Sequence, residues 1–189
     1  PKGKDTFTKC HELIPQALAE AATRQKVSHF IHISALGADL KSQSAYGRSK
    51  AQGEVLIHKA YPRATILRPS VLIGPGELFL SRFAQMAQFS PFLPLIYQGK
   101  TRFQPVYGGD VAEAIAICLQ NDKTDGKTFE LGGSETLTFK EILTRVLGDI
   151  KRKPYFLDLP NGVAKLMALV GQYLPGTPFS PSELAMLKT

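Results

Sequence analysis

Apolar residues in the first part of the chain fall into two short runs separated by a stretch of helical period. Val27-Ser28-His29-Phe30-Ile31-His32-Ile33-Ser34 is β-branched and aromatic, and Ala35-Leu36-Gly37-Ala38-Asp39 breaks it, so residues 27–34 are predicted as a strand. A polar loop, Lys41-Ser42-Gln43-Ser44, follows, with Ser44 placed to cap a helix from about Tyr46 to His58. Ala64-Thr65-Ile66-Leu67-Arg68 reads as a second short strand, stopped by Pro69. Strand, helix and strand in this order form the βαβ unit of a parallel sheet, with a right-handed crossover. A helix ending near Arg24 precedes the unit.

Further along, Glu77 to Phe89 fits a helix with Leu78, Phe79, Phe83, Met86 and Ala87 on its apolar side. Ser90-Pro91-Phe92-Leu93-Pro94-Leu95-Ile96 reads as a proline-punctuated loop, and residues 100–106 as a short strand pair. Asp110 is expected to cap a helix from Val111 to about Gln120. Phe129-Glu130-Leu131 is a short strand, and Thr138 caps a helix from Phe139 to Leu147. Two more helices are expected, a mildly amphipathic one from Gly162 to Tyr173 and another from Pro178 onward. Internal repeats and low-complexity tracts are absent from the sequence.

The chemistry concentrates in the βαβ unit. In open parallel sheets ligands bind outside the carboxyl ends of the strands. Ser34 closes one strand and Arg68-Pro69-Ser70 the next, so both face one crevice, and the intervening helix starts on that side. Tyr46-Gly47-Arg48-Ser49-Lys50 opens that helix, with tyrosine and lysine four residues apart on one face. An ammonium beside a phenol is expected to lower its pKa from the usual value of about 10. Such a phenol can pass a proton to or from a carbonyl or alcohol. His32, one strand step from Ser34, is read as structural.

Composition narrows the partners. Lys and Arg number 23 against 16 Asp and Glu, a net charge of +7. No basic run with interleaved aromatics accompanies that excess, which speaks against nucleic acid and leaves an anionic membrane surface or an acidic partner as a use for it. Cys10 and Cys118 are far apart, which argues against a disulfide framework, and the four histidines lack metal-ligand spacing. No apolar run in the sequence reaches the length of a transmembrane span.

Several segments in order resemble the extended and atypical branch of the short-chain dehydrogenase/reductase superfamily. They are residues 32–39, Tyr46-Gly47-Arg48-Ser49-Lys50-Ala51-Gln52-Gly53-Glu54, and Leu67-Arg68-Pro69-Ser70-Val71-Leu72-Ile73-Gly74-Pro75-Gly76. Gln104-Pro105-Val106-Tyr107-Gly108-Gly109-Asp110-Val111-Ala112 and the stretch from Thr128 to Leu143 continue the match. Within the branch the likeness is to the nucleotide-binding accessory subunit of respiratory complex I, of the alpha subcomplex subunit nine type. The resemblance implies an α/β fold, the C-terminal part of a Rossmann-like doubly wound parallel sheet plus a small mixed α/β C-terminal lobe. Residues 1–75, interleaved with about 104–120, would form the later half of the dinucleotide-binding domain. Residues 76–103 and 121–189 would form the cap lobe.

The same resemblance implies a site. Tyr46, Lys50 and a hydroxyl form the catalytic set, with Ser34 the nearest match for the hydroxyl. The family places that hydroxyl one position later, where this chain has Ala35. Lys50 would grip the nicotinamide ribose of NAD or NADP. Tyr46, Ser34, Ala35, Arg68, Pro69, Ser70 and Val71 would line the dinucleotide, and no metal is implied. Two roles follow: a cofactor-holding partner of complex I subunits, or an active NAD(P)-dependent reductase, epimerase or dehydratase on a small carbonyl or sugar-nucleotide substrate. The implied location is a bacterial cytoplasm or the mitochondrial matrix side, peripheral at the inner membrane. The Gly-rich phosphate-binding turn that opens such folds is absent from the sequence, so the chain is expected to be the later part of a longer protein.

Overall fold

A computed structural model of the chain describes residues 4–160 and 162–163. The helices expected from Pro178 onward and, beyond Val163, from Gly162 to Tyr173 lie outside the described residues. Helix α1 (Lys4–Phe7) passes through a π-helical segment, Thr8–Leu13, into α2 (Ile14–Arg24). Strand β1 (Ile31–Ile33), helix α3 (Ala45–Ala60), β2 (Thr65–Pro69) and β3 (Leu72–Ile73) follow. Then come α4 (Phe79–Phe89), β4 (Phe92–Ile96), β5 (Arg102–Phe103), β6 (Val106–Tyr107) and α5 (Gly108–Leu119). The remaining elements are β7 (Thr128–Leu131), β8 (Leu137–Thr138), α6 (Phe139–Asp149) and β9 (Tyr155–Leu159). These residues divide into two compact units, 1–72 with 106–133, and 73–105 with 134–189.

The first unit is built on a parallel sheet of order β1-β2-β7. His32 pairs with Ile66, and Pro69 with Leu131. Segment 121–133, expected with the cap lobe, lies in this unit because β7 is the third strand of its sheet. Ala19 and Ala22 of α2 pack with Ile57 and Tyr61 of α3 and with Ile66 of β2. Strand β1 is shorter than the predicted 27–34. The Val27 amide donates to the Ala22 carbonyl as α2 ends, and the Tyr61 hydroxyl donates to the carbonyls of Val27 and Ser28. Those groups finish a helix and anchor a tyrosine, so they do not join the sheet. Helix α5 starts at Gly108 after an extended Tyr107, so Asp110 sits inside its first turn and does not cap it. A carboxylate there still complements the helix dipole. Cys118 is buried, as expected of a small core hydrophobe.

Helix α3 approaches the π-helical segment closely. A Cβ added at Gly53 would strike the backbone carbonyl oxygen of His11. At Gly47, one residue past Tyr46, an added Cβ would lie 2.7 Å from Ser42 Oγ, since the loop before α3 folds back over its first turn. Both positions need glycine for room.

The second unit has its own core, in which Leu80, Phe83 and Ala87 of α4 pack with Leu93, Leu95, Phe139, Leu143 and Leu147. Residues 92–96, expected as loop, form β4, parallel to β9. The apolar run outweighs Pro94, whose missing N–H a two-stranded sheet tolerates. The 100–106 region does not pair with itself; β5 pairs antiparallel with β8, Arg102 opposite Thr138. Helix α4 begins two residues later than predicted, because the Glu77 carboxylate accepts from the amides of Leu80 and Ser81. Leu80 therefore enters the core and Leu78 stands 72% exposed. Thr138 caps α6 as expected, within a reciprocal capping box with Glu141.

Gly53→Ala is expected to lower stability by about 1–3 kcal/mol through overpacking against a rigid backbone oxygen. Gly148→Ala in α6, where an added Cβ meets nothing within 4 Å, should raise it by about 0.5–1 kcal/mol. Chemical denaturation of the two variants beside the parent checks both signs.

Candidate functional site

The carboxyl ends of β1 and β2 converge through backbone hydrogen bonds. The Ser34 amide donates to the Leu67 carbonyl at 2.7 Å, Leu36 to Pro69 at 3.0 Å, and Ser70 to Leu131 at 2.8 Å. These bonds bring Ser34, Ala35, Pro69 and Ser70 together, with Val71 next along the chain. Ser34 is 4% exposed, and its hydroxyl is buried with no hydrogen-bond partner in the protein.

Helix α3 delivers Tyr46 and Lys50 to the same end. Ser44 occupies its N-cap position in an extended conformation, but its side chain makes no capping bond. The expected cap is therefore positional only, and the Ser44 hydroxyl is buried and unpartnered. Lys50 Nζ donates to the Ile33 carbonyl at 3.0 Å and lies 6.0 Å from the centre of the Tyr46 ring. Burial lowers the Lys50 pKa, opposed by the nearby Glu54 carboxylate. Burial also raises the Tyr46 pKa above its ordinary value. The lowering expected from an adjacent ammonium is thus reversed: desolvation of the phenolate is the larger effect.

Arg68 lies at the strand end, as anticipated, but its guanidinium is engaged. Nε donates to Glu54 Oε1 at 2.9 Å, Nη2 to Oε2 at 2.6 Å, and Nη1 to Glu130 at 3.4 Å. Glu54 is 6% exposed, so this fork neutralises a buried carboxylate and holds α3 to the sheet.

His11 carries no signal in the motif analysis, yet it joins Tyr46. Its ring stacks on Phe7 at 5.2 Å and meets Tyr46 edge-on at 5.3 Å. A partial signal lay in the helix that follows: His11 is four residues before Pro15, which with Ala19 and Ala22 forms the buried stripe of α2. His11 Nδ1 is 2.9 Å from Ser49 Oγ, and that hydroxyl donates to the Tyr46 carbonyl. With the Ser49 proton so placed, His11 Nδ1 is the donor in this pair. Burial, aided by Lys50, pushes His11 down to about 4. His32 is likewise pushed to about 4 by burial and Lys50, and its Nε2 is buried without a partner.

A separate cluster forms where sequence spacing showed none. His29 lies 3.6 Å from Asp122 and 3.5 Å from Asp125, their ligand-type atoms all within 4.8 Å of one another. Arg63 grips Asp125 through Nε and Nη2. That arginine supplies the countercharge, and the cluster works as an ion-pair group tying β1 to the turn before β7.

A parallel α/β sheet with a lysine, a tyrosine and a serine at its carboxyl ends defines a Rossmann-like fold. The chain belongs to the NAD dependent epimerase/dehydratase family, which matches residues 2–132. Among solved structures, UDP-glucuronic acid 4-epimerase from Bacillus cereus in complex with NAD superposes with a TM-score of 0.71 at 20% identity, covering 100% of this chain and 72% of that one. DesIV, a dTDP-glucose 4,6-dehydratase from Streptomyces venezuelae, gives 0.72 at 22% identity over 85% of this chain and 56% of its own. At such identities the likeness is one of fold.

Sequence relatives include mitochondrial NADH dehydrogenase [ubiquinone] 1 alpha subcomplex subunit 9. The Arabidopsis thaliana protein is 37% identical over 84% of this chain and 40% of its own length. The Rattus norvegicus protein is 36% identical over 89% and 44%. A ceramide reductase from Caulobacter vibrioides is 31% identical over 91% and 55%. The chain thus spans about half the length of the curated relatives it matches, or less.

Both depressed histidines carry a pH consequence. In the unfolded chain they take up protons below about pH 6.5, while the folded protein keeps them neutral to about pH 4. Stability should therefore fall as pH drops from 6.5 to 4. His32→Phe should flatten that slope in urea denaturation run across the range. The Tyr46 phenol should titrate above 10, read as tyrosinate absorbance lost in Tyr46→Phe.

Proposed function

We propose that the chain belongs to a protein that holds NAD or NADP through Lys50 and associates with respiratory complex I subunits, the nucleotide serving stability or assembly. The observation that carries the reading is Lys50 Nζ, fixed at the Ile33 carbonyl at the carboxyl end of the sheet. There an ammonium with further donor capacity can grip ribose hydroxyls. The buried, unpartnered hydroxyl of Ser34 and the backbone of Ala35, Pro69, Ser70 and Val71 supply the rest of the lining. These residues fit a dinucleotide, which when bound would supply hydride chemistry. Identity of 36–37% with complex I subunits supports the choice of partner. A place on the matrix side of the inner mitochondrial membrane, or the corresponding bacterial cytoplasmic side, belongs to the same proposal. Among the described residues no helix is long and apolar enough to cross a membrane.

A second reading, an active reductase, rests on Tyr46. A phenol whose pKa is raised is protonated at neutral pH and is suited to donate a proton to a substrate carbonyl. Lys50 would then also orient the phenol, and Ser34 would hold the carbonyl oxygen.

Fluorescence titration of the full-length protein with NADPH and NADH separates the readings. Lys50→Met should weaken binding about tenfold or more, the loss of one charge-assisted hydrogen bond. Tyr46→Phe should leave affinity nearly unchanged. Unchanged affinity in Lys50→Met would sink the first reading. Turnover of a carbonyl panel that drops at least about a hundredfold in Tyr46→Phe would establish the second.

A further inference from the structure

In the second unit, one surface combines exposed aromatics with a cationic corner. Phe92 and Tyr155 are neighbours in register across β4 and β9, their rings 6.0 Å apart. They are 49% and 71% exposed, and Leu157, two residues on and on the same side of β9, is 49% exposed. Phe89, the last residue of α4, is 90% exposed. Leu93, Leu95 and Phe156, on the alternate positions, face the core, and Ile96 and Leu159 are packed at the far end of the Phe92 side, so the open part is the end next to Phe89. A parallel sheet is ordinarily covered on both faces, and an apolar face left open marks a contact surface.

The chain enters β9 through Lys151-Arg152-Lys153, all exposed. The Lys151 and Arg152 amides close the C-terminal turn of α6 on the Gly148 and Leu147 carbonyls. The helix dipole explains a cation at that turn, but not three in succession leading to Tyr155. Among the described residues, Asp149 and Asp158 are the exposed acids nearest in sequence to these three cations.

We infer that this aromatic and cationic surface docks the protein on an anionic lipid membrane. Charge complementarity points to that occupant: lysine and arginine gain from anionic headgroups, and aromatic rings settle at the headgroup level. Phe89 protrudes almost wholly into solvent. Such a projection inserts into a fluid interface that needs no matching pocket. The inference stands apart from the nucleotide reading, since no residue of the Lys50 site takes part.

The test is cosedimentation of the full-length protein with phosphatidylcholine vesicles, with and without phosphatidylglycerol. Binding is expected only to the anionic vesicles, weakening at high salt. The triple variant Lys151→Glu, Arg152→Glu, Lys153→Glu should bind on the order of a hundredfold more weakly or worse, at roughly one cation's worth of attraction per site. Phe89→Ser alone, at a position too exposed to disturb the core, should also weaken binding. NADPH affinity measured on the same samples should not change, which keeps the two proposals distinguishable. The inference is overturned if the parent ignores anionic vesicles, or if it binds them and neither variant weakens that binding. It is equally overturned if the variants lose a protein partner while the parent shows no vesicle binding, which would make the surface a protein interface.

Discussion

The ion pair between Glu54 and Arg68 sets how helix α3 lies on the sheet. Glu54 is almost wholly buried, and a carboxylate there without a partner would cost several kcal/mol. Arg68 is anchored in β2, the central strand of the first unit's sheet, and its third contact reaches Glu130 on β7. One guanidinium therefore joins one helix to two strands. Lys50 precedes Glu54 by one helical turn on the same face. Once Glu54 is fixed over β2, Lys50 falls over β1, where its ammonium meets the Ile33 carbonyl. Tyr46, one turn earlier again, is carried to the edge of the strand ends. Whatever else Arg68 does, its guanidinium is the reason Lys50 and Tyr46 lie where they do.

Close packing on the other side of α3 has the same effect. Gly53 lets the helix touch the backbone of the π-helical segment, and that segment presents His11 to the Tyr46 ring. A π-helical turn costs hydrogen-bond geometry and is commonly found near functional sites. Here it inserts an imidazole held neutral by burial. The phenol is left without a second cation beside it, and its environment is governed by desolvation more than by charge.

The legibility of the chain in sequence follows the physics of each segment. The βαβ unit and the YxxxK pair were readable because both are local and periodic. Strand β1 was overpredicted because Val27 and Ser28 have the composition of a strand but give their backbone groups to α2 and Tyr61. Strand β4 was hidden by two prolines, and its partner β9 lies some sixty residues away. The Tyr46 pKa was misjudged in direction because sequence shows the neighbouring charge and not the burial. The engagement of Arg68 was hidden for a related reason: its partner Glu54 is fourteen residues away and only the crossover brings them together. His11 was missed because its motif is tertiary. What sequence conceals in this chain is consistently desolvation and long-range pairing.

Those two concealed effects bear directly on what the site can do. The proposed ribose contact asks for a positively charged donor in a fixed place, and the Lys50 ammonium is held at the Ile33 carbonyl whether or not Tyr46 ever ionises. Proton transfer asks more. A phenol raised above its ordinary pKa donates a proton readily to a developing alkoxide but is a poor base towards an alcohol at neutral pH. On the proposed reading the arrangement is therefore asymmetric, with Lys50 able to hold while it is charged and Tyr46 suited to donate more than to accept a proton. A like bias would be hard to build with a second cation beside Tyr46, because that would favour the phenolate. By keeping His11 neutral, the fold leaves Lys50 as the one cation close to the Tyr46 ring among the described residues that contact it.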